Sequence, residues 1–480
     1  MSTRTQTTRA IWIISKGRRF GDAMTVLEQL AAYIARGGGE SLSDSLRQTL
    51  RLHVLDTVGA WIAGSGMPEG RALTGFESSS GQNLRLKSAG AGALDRVMMS
   101  CALSRMSETD DIHLSSCTTP GALIVPAALT MGRSLGLGRT EIADAIVVGY
   151  EAMVRLGIAV NGPSILYRGI WPTYFTAPFG VAAVAARLLG VSERQAAHAL
   201  GIALIVASPG IGHQSSATTS RWLAIGQAAR NGASAALSAQ AGFTADLKIL
   251  EGDFFPSVYG ISPDIETLAE GLGKRSVLAD VSFKPWCAAR QTMAATQALK
   301  EIIESGVSPA HMTALVVSAP GPYVRMINHG IIPGDRSSHL TSVPYQMALS
   351  VLEPDAMLKV NQSPQNVSEE IRAFMAKVTV EADDRLLQYY PRAWPARVVV
   401  RARSAEHERL VIHITGDPER PFDEKQAIAK FRRLVSPLVG ERITDELARH
   451  SLAALDEDGA HDSLLAEIER ARMAAAGRTS

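Results

Sequence analysis

The stretch Thr176–Ser208, TAPFGVAAVAARLLGVSERQAAHALGIALIVAS, decides the fold class, because its pattern predicts two consecutive helices built from small apolar residues. Gly190 suits the left-handed position that follows many helices. Ser192 and Gln195 have the spacing of a capping box, which would start the second helix. Ala and Gly at this density allow helix backbones to approach closely. The stretch therefore predicts a tightly packed helical bundle.

The same helical pattern extends in both directions, from Val26 to about Ala269. In SLSDSLRQTLRLHVLDTVGAWIAG, apolar residues recur every four positions from Leu46 to Val58, which forms one stripe along a helix. In GRTEIADAIVVGYEAMVRLGIAV, Thr140 is the candidate N-cap. No alternating β-branched run interrupts this part, so the sequence predicts a many-helix domain over residues 24–278.

The pattern changes after about Val277. The segment AKVTVEAD alternates apolar and polar residues, and ARVVVRARSAEHERLVIHITGD has the form of a β-hairpin. Helical pattern returns in PERPFDEKQAIAKFRRLVSPLVG and continues to the end. We therefore predict a mainly α protein: a large Ala-rich helical domain from two chain segments, 24–278 and 418–480, with a smaller α+β domain inserted at 279–417.

Composition excludes several classes of function. Lys and Arg number 48 against 47 Asp and Glu, so the net charge of +1 gives no reason to expect nucleic acid or an anionic membrane as a partner. Three widely spaced cysteines favour neither a disulfide framework nor a zinc site. No apolar run is long enough for a membrane span. We expect a cytoplasmic protein, with residues 1–23 as a basic, mobile extension.

One polar stretch interrupts the apolar helices, SETDDIHLSSCTTPGA at Ser107–Ala122. It places Asp110, Asp111 and His113 in a connector beside a predicted helix start, where free N–H groups favour anions. The alternative is that the acids only cap a helix and the hydroxyl residues only form turns, in which case the stretch has no catalytic or binding role. No nucleotide-binding or metal-binding motif is present, so we expect neither a bound nucleotide nor a metal.

Cationic and aromatic side chains elsewhere complete a candidate site. Arg221 starts an apolar helix, Lys284 precedes a Pro-Trp pair, Arg290 follows, and Tyr345 lies between apolar residues. Cations and a tyrosine near an anion-favouring loop would suit a small carboxylic acid.

The order of these segments resembles the MmgE/PrpD family, which includes 2-methylcitrate dehydratase, cis-aconitate decarboxylase and iminodisuccinate epimerase. The resemblance covers about Met24 to Leu434 and rests on DTVGAWIAG, DDIH with PGALIVPAAL, GYEAMVRLG, SRWLAIGQAARNG, FKPWCAARQ and SVPYQMALSVL. It implies a helical domain with a smaller lid domain, a homodimer, no metal or organic cofactor, and a site in the cleft between the domains.

When the resemblance is carried over position by position, this chain has the family's acidic residues but lacks its histidines. The paired acids fall on Asp110 and Asp111, the lid lysine on Lys284 and the lid tyrosine on Tyr345. The family's histidine positions fall on Thr118 and Trp171, with a further one at Met293, and the usual lysine before the small-residue helix is Arg221. His113, His213 or Lys284 could then be the relocated acid or base.

We expect a cofactor-free lyase or isomerase that acts on a small di- or tricarboxylate by proton transfer next to a carboxylate. Asp110 or Asp111 would organise a proton path, Tyr345 would donate a proton or hydrogen bond, and Arg221, Lys284 and Arg290 would bind carboxylates. Family frequency ranks dehydration first, decarboxylation second and epimerisation third. The alternative of another class is a catalytically silent carboxylate-binding or scaffold protein. As an exposed or cleft lysine, Lys284 should contribute little to the melting temperature.

Overall fold

The structure, a computed structural model, describes residues 23–37, 43–83, 92–208, 218–362 and 365–477, without the side chains of 77–83. The predicted N-terminal extension lies outside these residues except for Ala23. The described residues are mostly helical, which confirms the predicted fold class. Their α-helices are α1 Val26–Arg36, α2 Asp44–Ser65, α3 Pro68–Asn83, α4 Ala93–Met106, α5 Gly121–Leu135, α6 Arg139–Ala159, α7 Gly162–Leu166, α8 Pro172–Leu188, α9 Glu193–Ile205, α10 Ser220–Gln240, α11 Phe254–Tyr259, α12 Ile265–Ala269, α13 Arg290–Glu304, α14 Gly321–Ile327, α15 Arg336–Thr341, α16 Val343–Leu352, α17 Glu369–Met375, α18 Glu424–Val439, α19 Glu441–Ala453 and α20 Ala460–Gly477.

The bundle is densest around α8, which packs on α5, α6, α9 and α10. Small residues make these contacts possible. A Cβ added at Gly232 of α10 would lie 2.4 Å from the Pro178 carbonyl oxygen of α8, so only glycine fits there. The predicted capping box at Ser192 and Gln195 is present, and Gly190 has a φ of 60°. The stretch that predicted the bundle thus lies at its centre.

One predicted helix start is wrong. The helix α6 begins at Arg139, and its N-cap is Gly138, which makes no side-chain capping bond. Thr140 therefore lies inside the first turn. Asp and Glu near a helix start stabilise it through the helix dipole whether or not the N-cap residue bonds, and Glu141 supplies that acid here.

The strands of the described residues form two small sheets. A two-stranded sheet pairs β1 Ile112–His113 with β2 Val281–Ser282, antiparallel. The larger sheet has the order β4-β3-β5-β6, with β3 Met312–Ala319, β4 Val378–Ala382, β5 Ala396–Ala402 and β6 Ala405–Val411. The β3–β4 pair is parallel, and the other two pairs are antiparallel. The predicted hairpin is confirmed as β5 and β6, with Arg403 at a φ of 55° in its turn.

The helices that follow β6 return to the first part of the chain. α18, α19 and α20 all pack on α2, and α13 packs on β5 and β6. Residues from both sides of the sheet segment thus share one continuous apolar core. The division at residues 279 and 417 stays a prediction.

Candidate functional site

The two-stranded sheet brings the residues of the candidate site together. Because β1 pairs with β2, the loop that ends α4 lies against the segment that leads into α13. We call Ser107–Asp111 the acid loop. Asp110 lies two residues before β1 and Lys284 two residues after β2, so the pairing places the Lys284 Nζ 3.6 Å from Asp110 Oδ1. The sequence predicted both residues but not the strand pair that joins them.

Glu108 is the centre of the charged cluster. Its carboxylate oxygens lie 2.7 Å from an Arg105 guanidinium nitrogen, 2.7 Å from Arg221 and 3.8 Å from Lys284 Nζ. We call Arg105, Arg221 and Lys284 the cation cluster. Arg105 also lies 3.2 Å from Asp110 Oδ1. The sequence reasoning missed Glu108 and Arg105. A signal was available, since Arg105 stands in the last turn of a helix that is otherwise uncharged at this end.

The two carboxyl groups differ in their electrostatics. Burial would raise the pKa of Glu108, but Arg105, Lys284 and Arg221 outweigh it and hold this pKa well below its usual range. Burial raises the pKa of Asp110 above its usual value, and Glu108 and Asp111 add to that rise against the opposing effect of Arg105 and Lys284. The site therefore favours an ionised Glu108 beside an Asp110 that binds a proton readily.

Arg221 is held by aromatic rings as well as by Glu108. Its guanidinium carbon lies 4.8 Å from the centre of the Trp171 ring and 4.3 Å from that of Trp222. Trp171, where the family resemblance places a histidine, thus packs on a cation. Arg binds carboxylates through a planar fork, which this packing fixes in direction.

A cleft of about 620 Å³ opens at the cation cluster. Arg105, Glu108, Arg221 and Lys284 all line it. Trp171 and Thr173 line it from the start of α8, and Arg290 and Gln291 from the start of α13. Met326, Leu340 and Trp394, which come later in the chain, contribute apolar surface. The volume is in the range of small-molecule sites.

Arg290 reaches the cleft from a buried ion pair. Its terminal nitrogen lies 2.7 Å from one oxygen of Asp417 and 3.0 Å from the other, and both residues are fully buried. The Nε and the second terminal nitrogen have no partner among the described residues. Buried donors normally have acceptors, so these two nitrogens are unsatisfied donors beside the cleft.

Asp111 holds the start of α5 rather than lining the cleft. Its Oδ1 accepts from the Gly121 amide at 2.8 Å, and its Oδ2 accepts from the Tyr150 hydroxyl at 2.7 Å. His53 Nδ1 lies 2.9 Å from the same Oδ2. A Cβ at Gly121 would come within 2.6 Å of Asp111. The helix-capping interpretation therefore describes Asp111, although not its neighbour Asp110.

Several other candidate residues lie apart from the cleft lining. His113 is buried in β1, its Nδ1 accepts from the Ser116 amide, and burial lowers its pKa to about 4. The Thr118 hydroxyl is buried and lies 2.6 Å from Ser116 Oγ. Tyr345 is buried beside His339, and burial raises its pKa to about 12. His213 lies outside the described residues.

Lys284 lies at the cleft and is buried. Only 2% of its surface is exposed, and its ammonium donates to the Glu108 carbonyl oxygen at 3.3 Å. Lys284 is therefore not an exposed lysine, although it lines the cleft, and its effect on the melting temperature stays a prediction.

The part of the chain that the structure describes holds neither a cluster of metal ligands nor a helix that could span a membrane. There, no three His, Cys, Asp or Glu side chains come together as a metal site. Within the same ranges, no helix has both the length and the apolar character that crossing a membrane requires.

The fold and the site together define a mainly helical protein with a cation-lined cleft suited to a small anion. The chain matches the MmgE/PrpD N-terminal domain over residues 28–259 and the MmgE/PrpD C-terminal domain over residues 286–453. It therefore belongs to the MmgE/PrpD family.

Two curated relatives are cis-aconitate decarboxylases, one from Aspergillus terreus and one from Aspergillus terreus strain NIH 2624 / FGSC A1156. Each is 29% identical to this chain over 170 residues, which are 34% of this chain and 34% of the relative. The match thus spans about a third of the length of these relatives.

Proposed function

We propose that this chain is a carboxy-lyase of a small di- or tricarboxylic acid, and that an unsaturated tricarboxylate such as cis-aconitate is the first substrate to test. The observation that carries the proposal is the convergence of Arg105, Arg221 and Lys284 on Glu108 at the cleft. The similarity to cis-aconitate decarboxylases supports the reaction type.

The charge balance of the cluster favours an anionic ligand. Three cations face the two carboxyl groups of Glu108 and Asp110, so one positive charge is left over, and two are left when Asp110 carries a proton. Arg290 is neutralised by Asp417 but keeps unpaired donors. Such a site binds carboxylates and stabilises the charge that develops on them.

The proton chemistry favours decarboxylation over dehydration. Dehydration needs a base that removes a proton from carbon, yet Glu108 is a weak base with a depressed pKa, and the described lining residues include no histidine. Decarboxylation consumes a proton instead. This ranking reverses the order expected from family frequency.

In the proposed reaction the C–C bond to one carboxylate breaks, and the electron pair stays on carbon as CO₂ leaves. The cation cluster stabilises the charge that spreads into a neighbouring carboxylate. Lys284, which lines the cleft, gives its proton to that carbon. Asp110, 3.6 Å from Lys284 Nζ, returns a proton to the lysine and is reprotonated from solvent.

The test is proton NMR in D₂O, with measurement of released CO₂, over a panel of citrate-like, aconitate-like and succinate-like acids. The proposal predicts CO₂ release with one deuterium in the product. Loss of water without CO₂ would mean a dehydratase, and exchange alone would mean an epimerase. Thermal stabilisation without any reaction would mean a carboxylate-binding protein. Each of these three outcomes would overturn the proposed decarboxylation.

A further inference from the structure

The acid loop is held through its backbone by residues from much later in the chain. α4 ends at Met106, and the next carbonyls have no helical partner, as at any helix end. Four consecutive carbonyl oxygens, those of residues 106–109, each accept a hydrogen bond from a side chain beyond residue 283. This arrangement is separate from the contacts that the loop's own carboxylates make.

Four different side chains donate five hydrogen bonds to these four oxygens. Arg336 donates to the Met106 oxygen at 3.1 Å and to the Ser107 oxygen at 2.8 Å. The Cys287 thiol also donates to the Ser107 oxygen, at 3.1 Å. The remaining two bonds are Lys284 to the Glu108 oxygen at 3.3 Å and Lys430 to the Thr109 oxygen at 2.7 Å.

The loop adopts a conformation that needs such support. Glu108 has a φ of 60°, in the left-handed region that residues other than glycine rarely occupy. That conformation turns the Glu108 carboxylate toward Arg105, Arg221 and Lys284 while the chain continues into β1. A strained residue persists where the surrounding structure over-determines it, and the five hydrogen bonds to the four carbonyl oxygens provide that determination.

Three of the four donor residues do not line the cleft, and these are Cys287, Arg336 and Lys430. Arg336 begins α15, whose residues Ser337, Leu340 and Thr341 do line it, and its Nε donates to the Val360 oxygen at 2.6 Å. Lys430 lies on α18, is buried and lies 2.5 Å from Asp56. Arg336 and Lys430 are therefore each held by a residue outside the loop as well as by the loop.

We infer that Arg336 and Lys430 are positioning residues, which hold the acid loop so that Glu108 and Asp110 face the cation cluster. Neither touches the cleft, so each acts through the loop. Arg336 also connects the loop to a wall of the cleft, because α15 carries both Arg336 and three residues that line the cleft. The predicted effect on turnover rests on the proposed function, whereas the predicted effect on the loop does not.

The experiment combines amide hydrogen exchange with kinetics on the full chain, using Arg336→Met, Arg336→Lys and Lys430→Met. Arg401→Met is the matched control, because it removes an arginine that pairs with Glu406 at 2.7 Å on the β5–β6 hairpin, far along the chain from the loop. In Arg336→Met and Lys430→Met, amides in a peptide covering residues 105–112 should exchange about tenfold faster or more, while the larger sheet stays protected.

Steady-state kinetics should distinguish a loss of loop positioning from a loss of folding stability. We expect kcat to fall by about 10- to 100-fold in Arg336→Met, with KM changed less than about threefold, because the lining side chains remain while the reacting groups are misplaced. Arg336→Lys, which keeps one donor, should recover part of kcat. Unchanged loop exchange in both methionine variants would overturn the inference, as would faster exchange with unchanged kcat. If no acid is turned over by the wild type, the proposed function fails and the exchange result alone decides the inference.

Discussion

Replacing Lys284 by methionine removes one charge from the cleft and keeps most of the side chain's volume. The ammonium that is lost lies 3.6 Å from Asp110 Oδ1, 3.8 Å from Glu108 Oε2 and 3.3 Å from the Glu108 carbonyl oxygen. It also lines the cleft. The substitution should therefore affect both catalysis and folding, for separable reasons.

The catalytic effect follows from the loss of a preorganised cation. Removing one such group costs about 3 kcal/mol of transition-state stabilisation in comparable sites, which corresponds to roughly a hundredfold in kcat/KM. Lys284 is also the proposed proton donor, so kcat should fall more than KM rises.

The effect on folding follows from burial. An ion pair near 4 Å contributes about 4 kcal/mol at an effective dielectric constant of 20, before the cost of desolvation. Arg105 and Arg221 remain on Glu108 in the variant, and Asp110 takes up a proton readily. We therefore expect a net loss of about 2 kcal/mol, which for a chain of this length lowers the melting temperature by roughly 2 °C.

The assay is steady-state kinetics with the acid found in the NMR panel, together with differential scanning calorimetry. Lys300→Met is the matched control, because Lys300 lies on the Trp286 ring at 5.3 Å and does not line the cleft. Lys300→Met should keep the wild-type kcat/KM. If Lys284→Met also keeps more than about a third of the wild-type kcat/KM, Lys284 is not part of the reacting site.

Three further predictions concern residues around the site. Asp111→Asn should lower the free energy of unfolding by about 2 kcal/mol, because it weakens the hydrogen bonds from Gly121 and Tyr150 and removes the charge beside His53; kcat per folded molecule should change less than threefold, and a hundredfold loss would mean that Asp111 takes part in the reaction. Tyr345→Phe should keep kcat/KM within about threefold by steady-state kinetics, since the phenol does not line the cleft, and a larger loss would restore Tyr345 as a proton donor. His113 should make the fold sensitive to acid: its imidazole binds a proton below about pH 6.5 when unfolded but only below about 4 when folded, so stability is lost as the pH falls through this window, by about 3 kcal/mol in total. Urea unfolding at pH 7 and pH 4.5 should show this loss in the wild type and a smaller one in His113→Asn, and equal losses in the two proteins would refute it.

The helices could be predicted from the sequence because their signals are local. The capping box at Ser192 and the glycine at 190 each depend on a few neighbouring residues, and both are present. The strands β1 and β2 could not be predicted, because two residues are too few for an alternating pattern to appear. Their pairing is a tertiary contact, and it is the contact that builds the site.

The site could be predicted only in part, for a related physical reason. Asp110, Arg221 and Lys284 were found by resemblance and by charge, and they do come together. Glu108 resembles an ordinary solvated acid in the sequence, and only the folded chain surrounds it with cations. The roles of Asp110 and Asp111 also separate only in the fold, because Tyr150 and His53 approach Asp111 and not Asp110.

The most direct test of the central claim is a crystal structure of the protein soaked with a small tricarboxylate. The account predicts that a carboxylate of the ligand lies within about 3.2 Å of both Lys284 Nζ and the Arg221 guanidinium, with the rest of the ligand in the cleft beside Trp171. A ligand bound elsewhere, or a carboxylate in the cleft that contacts neither cation, would contradict the account.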